Sequence, residues 1–174
     1  MSDAPATLLV ADDDEAKRYI LTTWLRRAGH TVIEAATGGE ALDQVGAAEL
    51  VLLDVNMPDM DGMEVLRKIR EIRLIDALPL IMCTASHAGE DVVRALEAGA
   101  NDYVTKPVDL SVALARIQAQ VERKRANAKL ARAQAALSAM NEDLERRVEE
   151  RTRELAAINH RLELEILRRQ QSDA

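Results

Sequence analysis

Apolar and polar positions follow two different periods along the first two thirds of the chain. TLLVA (7–11), TVIEA (31–35), LVLLD (50–54), LPLIMCT (78–84) and the shorter DYVT (102–105) are short apolar runs, several without a polar residue on either face. Strands covered by helices on both sides have that pattern. Between them lie stretches of helical periodicity at 15–27, 39–45, 63–73 and 89–98, with another from Asp109. Five βα units in succession predict an α/β fold: a doubly wound (βα)5 parallel sheet with right-handed crossovers and helices on both faces. In such sheets ligands bind at the carboxyl ends of the strands.

The pattern then changes. Every Gly and Pro lies at or before Pro107, so residues 108–174 contain no backbone breaker and are predicted to be one helix. Leu130, Ala133, Leu137, Met140 and Leu144 follow spacings of 3, 4, 3 and 4, the seam of a coiled coil. From Leu144 the next apolar position is Val148, a second consecutive step of four. Val148, Leu155 and Leu162 then resume a seven-residue period with Ile158 beside them, which reads as a stutter. A rod of roughly 90 Å with an exposed leucine seam needs a partner. Parallel pairing brings each stutter opposite its equivalent, so a parallel homodimer is expected.

Charge divides the chain at the same place. Residues 122–174 hold 12 Lys/Arg and 10 Asp/Glu, leaving 11 and 20 for residues 1–121, so the first part carries −9 and the tail +2. We therefore expect a globular domain over 1–121 and a coiled-coil helix over 122–174, continuous with the fifth helix. The globular core must be aliphatic, because aromatic residues make up 2% of the chain and Phe is absent. Cys83 is the single cysteine and sits in an apolar run, where a reduced thiol behaves as a small hydrophobe. The N-terminus has no basic n-region, and no apolar run has membrane-spanning length. A cytoplasmic setting is expected, with no membrane partner.

The strand ends carry the chemistry. The first predicted strand finishes at Asp12, Asp13 and Asp14, the third at Asp54, the fourth at Thr84, and the fifth at Lys106 before Pro107. A capping role explains one aspartate at a strand end, but not carboxylates, a hydroxyl and an ammonium converging on one edge. Crowded carboxylates raise one another's pKa unless a cation neutralises them. Oxygen ligands of this kind suit Mg2+, which uses one or two carboxylates together with phosphate oxygens.

The segments ADDDE, LLDVNMPDMDG, CTA and NDYVTKP together resemble the receiver domain of two-component response regulators, over residues 6–121. The resemblance implies the strand order 2-1-3-4-5. It implies that Asp54 is the phosphoacceptor, attacking a phosphohistidine carried by a histidine kinase or phosphotransfer protein. It further implies that Asp12, Asp13, Asp54 and the backbone carbonyl of Asn56 hold Mg2+. Lys106 would pair with a phosphoryl oxygen, Thr84 would hydrogen-bond another, and the small Ala85 would leave room for the group. Pro107 would follow a cis peptide bond that aims Lys106, and Tyr103 would turn inward as Thr84 moves toward the phosphoryl group. Asp14, Glu15, Asp59 and Asp61 are expected to be helix-start or turn acids, and Ser86 and His87 receive no fixed role.

One rival uses the same strand-end residues, and a second rests on the tail. Haloacid dehalogenase-type phosphatases also combine an aspartyl nucleophile, Mg2+ and lysine, but place a second aspartate where this chain has Asn56, and an amide cannot shuttle the proton that turnover needs. A slow switch, not an enzyme, is therefore expected. The stretch ERKRANAKLARAQAAL faintly resembles a basic zipper, yet five basic residues between Arg123 and Arg132 beside an acidic domain disfavour nucleic acid. The segment LERRVEERTRELAAINHRLELEILRRQ resembles linkers that lead to histidine kinase or diguanylate cyclase domains. No GG[D/E]EF or kinase nucleotide motif is present in it, so the expectation is either a stalked regulator acting on a partner or the front of a longer protein that carries an output domain.

Overall fold

The sheet is built from five short strands, β1 (Thr7–Ala11), β2 (Thr31–Ala35), β3 (Leu50–Asp54), β4 (Leu80–Thr84) and β5 (Asp102–Thr105), all parallel and ordered β2-β1-β3-β4-β5. This computed structural model describes residues 5–84 and 89–172. Helices α1 (Glu15–Arg27), α2 (Gly38–Gln44), α3 (Gly62–Ile72), α4 (Gly89–Glu97) and α5 (Leu110–Ser172) follow the strands in turn.

Strand periodicity divides the core into two apolar layers. Leu9, Val51, Leu53, Leu80 and Met82 face one way and pack with Val65, Leu66 and Ile69 of α3 and Ala95 of α4. Leu8, Val10, Leu50, Leu52, Ile81 and Cys83 face the other way, with Leu21 and Leu25 of α1 and Ala113, Ile117 and Val121 of α5. Every residue of β3 is buried, the terminal aspartate included.

Element limits differ from the sequence reading where a local hydrogen bond competes. The fourth strand starts at Leu80, not Leu78, because the Leu78 N–H donates to the Leu74 carbonyl at 3.2 Å and Pro79 has no N–H to offer the ladder. Helix α2 begins one residue early, where the Thr37 side chain accepts from the Glu40 N–H, and it tightens into a 3-10 turn at Val45–Ala47.

The chain divides into two units, Met1–Asn127 and Ala128–Ala174. Beyond residue 121 the first unit is still tied to its own sheet and loops. The Lys124 ammonium donates to the Glu49 carbonyl at 2.9 Å, and Arg125 donates to the Pro5 carbonyl at 2.7 Å. The described part of the second unit is helix throughout, and Leu130, Leu137, Leu144, Leu155, Leu162 and Leu164 are exposed on it. No described helix is long and apolar enough to cross a membrane.

Candidate functional site

The strand order reverses at β1, which has β2 on one side and β3 on the other, and acidic residues gather at this switch point. Asp12 and Asp13 follow β1 directly, and Asp54 closes β3. Carboxylate oxygens of Asp12, Asp13 and Asp54 all lie within 4.8 Å of one another. Asp12 and Asp54 are buried and Asp13 is exposed, so the group opens to solvent on one side.

Lys106, one residue past β5, reaches into this group. Its Nζ lies 2.6 Å from Asp54 Oδ2 and 2.9 Å from Asp12 Oδ2. The Lys106 N–H is held by the Thr84 carbonyl at 2.7 Å, and the Lys106–Pro107 peptide bond is cis. Burial pushes the Asp54 carboxyl above the ordinary aspartate range, Lys106 opposes that shift, and the charge on Asp12 adds to it. Burial alone would lower the Lys106 ammonium, but its hydrogen bonds to Asp54 and Asp12 outweigh it and raise the pKa. Two carboxylates thus share one ammonium.

Backbone donors complete the frame. The Asn56 N–H donates to Asp54 Oδ1 at 3.3 Å, and the Asp14 N–H donates to Asp12 Oδ1 at 3.0 Å. Thr84 ends β4 and is buried. It lines a cleft of about 470 Å³ together with Asn56, Met63, Met82, Arg94 and Tyr103. Tyr103 is half-buried, and the Arg116 guanidinium lies 5.5 Å from its ring centroid while pairing with Asp102. Ala85, Ser86 and His87 lie outside the described residues.

The structure thus brings Asp12, Asp13, Asp54 and Lys106 together, with Thr84 and Tyr103 on the adjoining cleft. The donor set fits a hard cation, being three carboxylates with one open side.

Two contributors were not legible as such. Gly62 packs against the backbone of Asp54, where a Cβ would fall 2.1 Å from the Asp54 carbonyl oxygen and 2.9 Å from Val55 Cα. Asp59, read as a turn residue, accepts from the N–H groups of Gly38 at 2.9 Å and Gly39 at 3.0 Å, so it caps α2 from the loop that follows β3. The Pro/Asp/Gly character of MPDMDG was the available signal, but it marks a turn and not its partners.

The response regulator receiver domain family matches residues 8–118. The transcriptional regulatory protein AfsQ1 of Streptomyces coelicolor is 44% identical over 119 residues, covering 67% of this chain and 52% of its own length. A CheY-like receiver domain from Methanospirillum hungatei superposes with a TM-score of 0.65 at 32% identity, covering 71% of this chain and 99% of its own. A two-component response regulator/GGDEF domain protein superposes with the same score at 31% identity, covering 69% of this chain and 50% of its own. The chain spans about half the length of the curated relatives it matches.

Proposed function

The chain belongs to the response regulator receiver family, and from that premise we propose that Asp54 is a phosphoacceptor whose modification is passed on through the tail. The observation that carries this reading is the Lys106 ammonium 2.6 Å from Asp54 and 2.9 Å from Asp12, at the open edge of an otherwise buried sheet. An Asp54 oxygen attacks the phosphorus of a phosphohistidine on a histidine kinase or phosphotransfer protein. The P–N bond breaks, its electron pair returns to the imidazole, and an acyl phosphate forms. Lys106 neutralises charge on the transferred oxygens and Thr84 donates its hydroxyl to one of them.

Asp12, Asp13, Asp54 and the backbone carbonyl of Asn56 would hold Mg2+. When bound, that ion supplies positive charge against the phosphoryl oxygens. With Asn56 unable to act as general acid, the modified state decays slowly, and the chain is a switch and not a turnover enzyme. Tyr103 and Thr84, sharing one cleft, carry the change toward α5.

The tail pairs with a second copy in parallel through Leu130, Leu137, Met140, Leu144, Val148, Leu155 and Leu162, and relays the state to an output domain or partner in the cytoplasm. The exposure of these side chains supports pairing, since solvated leucines in a long helix favour association. Acetyl phosphate with Mg2+ should add one phosphoryl group to the wild type and none to Asp54→Asn. Equal labelling of the two would remove the assignment.

A further inference from the structure

We infer that Gln134 and Asn141 set the register of the paired tails, as amide layers within one unbroken heptad row. This rests on the tail pairing proposed above and adds what specifies it. Leu130, Leu137, Leu144 and Ile158 fall on one seven-residue series, and Val148, Leu155 and Leu162 fall on the series three residues before each of the next. With the first series at d and the second at a, the step of four from Leu144 to Val148 is the ordinary d-to-a step, so the stutter of the sequence reading disappears, and Ala133 and Met140 flank the row at g instead of lying in it. The same row then contains Gln134 and Asn141 at a and Arg151 at d. All three are exposed, as are the seven apolar members, which are 51–62% exposed.

The occupant of this row is a second copy of the chain, because only the same row in register sets every apolar position against an apolar one and every amide against an amide. In a parallel, in-register pair, all seven apolar layers meet their equivalents. Gln134 meets Gln134 and Asn141 meets Asn141, and an amide can donate to and accept from another amide. Arg151 also meets Arg151, but each guanidinium already lies 2.7 Å from Glu154 of its own helix, which neutralises it.

The best antiparallel register sets Leu130 against Leu162. It then places Asn141 against Arg151 in two layers, where the amide can accept from the guanidinium, but Gln134 against Ile158 in two others, leaving an amide without a partner in an apolar setting. It also sets Arg147 against Arg147 and Glu145 against Glu145 along the flanks. A parallel slip of one heptad places Asn141 against Val148 and Leu144 against Arg151. A polar residue at a single core position rejects such alternatives at a cost in stability.

Spin labels on the full chain test this at Arg132→Cys and Glu163→Cys, two exposed sites outside the row; buried Cys83 makes the wild type the labelling control. The parallel register predicts a short label-to-label distance in each homodimer. The antiparallel register separates the Arg132→Cys labels by roughly 40 Å along the axis, and only a mixture of the two variants would give a short distance. The long result would overturn the register while leaving a dimer. Adding Asn141→Leu should raise the thermal midpoint of the dimer and split the single short distance into two or more populations, or a trimeric mass. A single unchanged distance in Asn141→Leu would overturn the role of Asn141. Sedimentation of the unlabelled wild type as a monomer at tens of micromolar, a range set for weak pairs, would overturn both this inference and the tail pairing.

Discussion

Lys106, one residue past β5, and Asp54, the last residue of β3, meet with 2.6 Å between ammonium and carboxylate. Removing the ammonium leaves Asp54 buried beside Asp12 with no other ion-pair partner among the described residues. Lys106→Ala should therefore keep Mg2+ binding within a few-fold of wild type, measured by titration calorimetry, while slowing phosphorylation by acetyl phosphate on the order of 10²-fold, as loss of one preorganised charge does elsewhere. Asp13→Asn should do the reverse to the metal and weaken its binding. Wild-type labelling rates in Lys106→Ala would show that the contact is structural only.

Gly62 has no room for a methyl group, because the obstructing atoms are backbone atoms of Asp54 and Val55. Gly62→Ala should cost about 1–3 kcal/mol in urea unfolding, as overpacking does, and should also slow Asp54 labelling. Gly46→Ala is the control, since nothing lies within 4 Å of its added carbon. Equal stability of Gly62→Ala and Gly46→Ala would refute the close approach.

The Cys83 thiol is pushed by burial up to about 12 from its ordinary value of 9.0. The folded state therefore holds this proton more tightly than the unfolded chain. Its stabilising effect is complete below pH 9.0 and is lost as pH rises toward about 12. Wild type should lose more stability than Cys83→Ala between those limits, read as the difference in urea midpoints. Parallel curves would contradict it.

Asp59 is held below the ordinary aspartate range, first by the Gly38 N–H and then by that of Gly39. Its contribution is present above the unfolded value of 3.8 and fades as pH falls through the lower folded value. Wild type should exceed Asp59→Asn in thermal midpoint at neutral pH, and the gap should close in acid. A gap constant down to pH 3, set just under the ordinary carboxylate range, would count against the cap.

These relationships show what could be read in advance. The apolar runs at 50–54 and 7–11 identified strands because burial on both faces leaves its mark in local order, and Asp54 and Asp12 then stood out as charges where the apolar runs end. The pairing of Lys106 with both Asp54 and Asp12 could be expected only as convergence on one edge, since its distances depend on strands far apart in sequence. Asp59 and Gly62 were legible as turn residues, but one serves a helix about twenty positions earlier and the other a backbone it faces only after folding. Leu78 looked like strand because its apolarity is local, whereas its bond to the Leu74 carbonyl is a matter of turn geometry.

The most direct test of the central claim is the chemical location of the label. Borohydride cleaves an aspartyl phosphate to homoserine, so phosphorylated protein treated in this way and mapped by peptide mass spectrometry should carry homoserine at position 54 and nowhere else. Homoserine at Asp12 or Asp13, or a phosphoryl group that survives on a hydroxyl or imidazole, would contradict Asp54 as the acceptor.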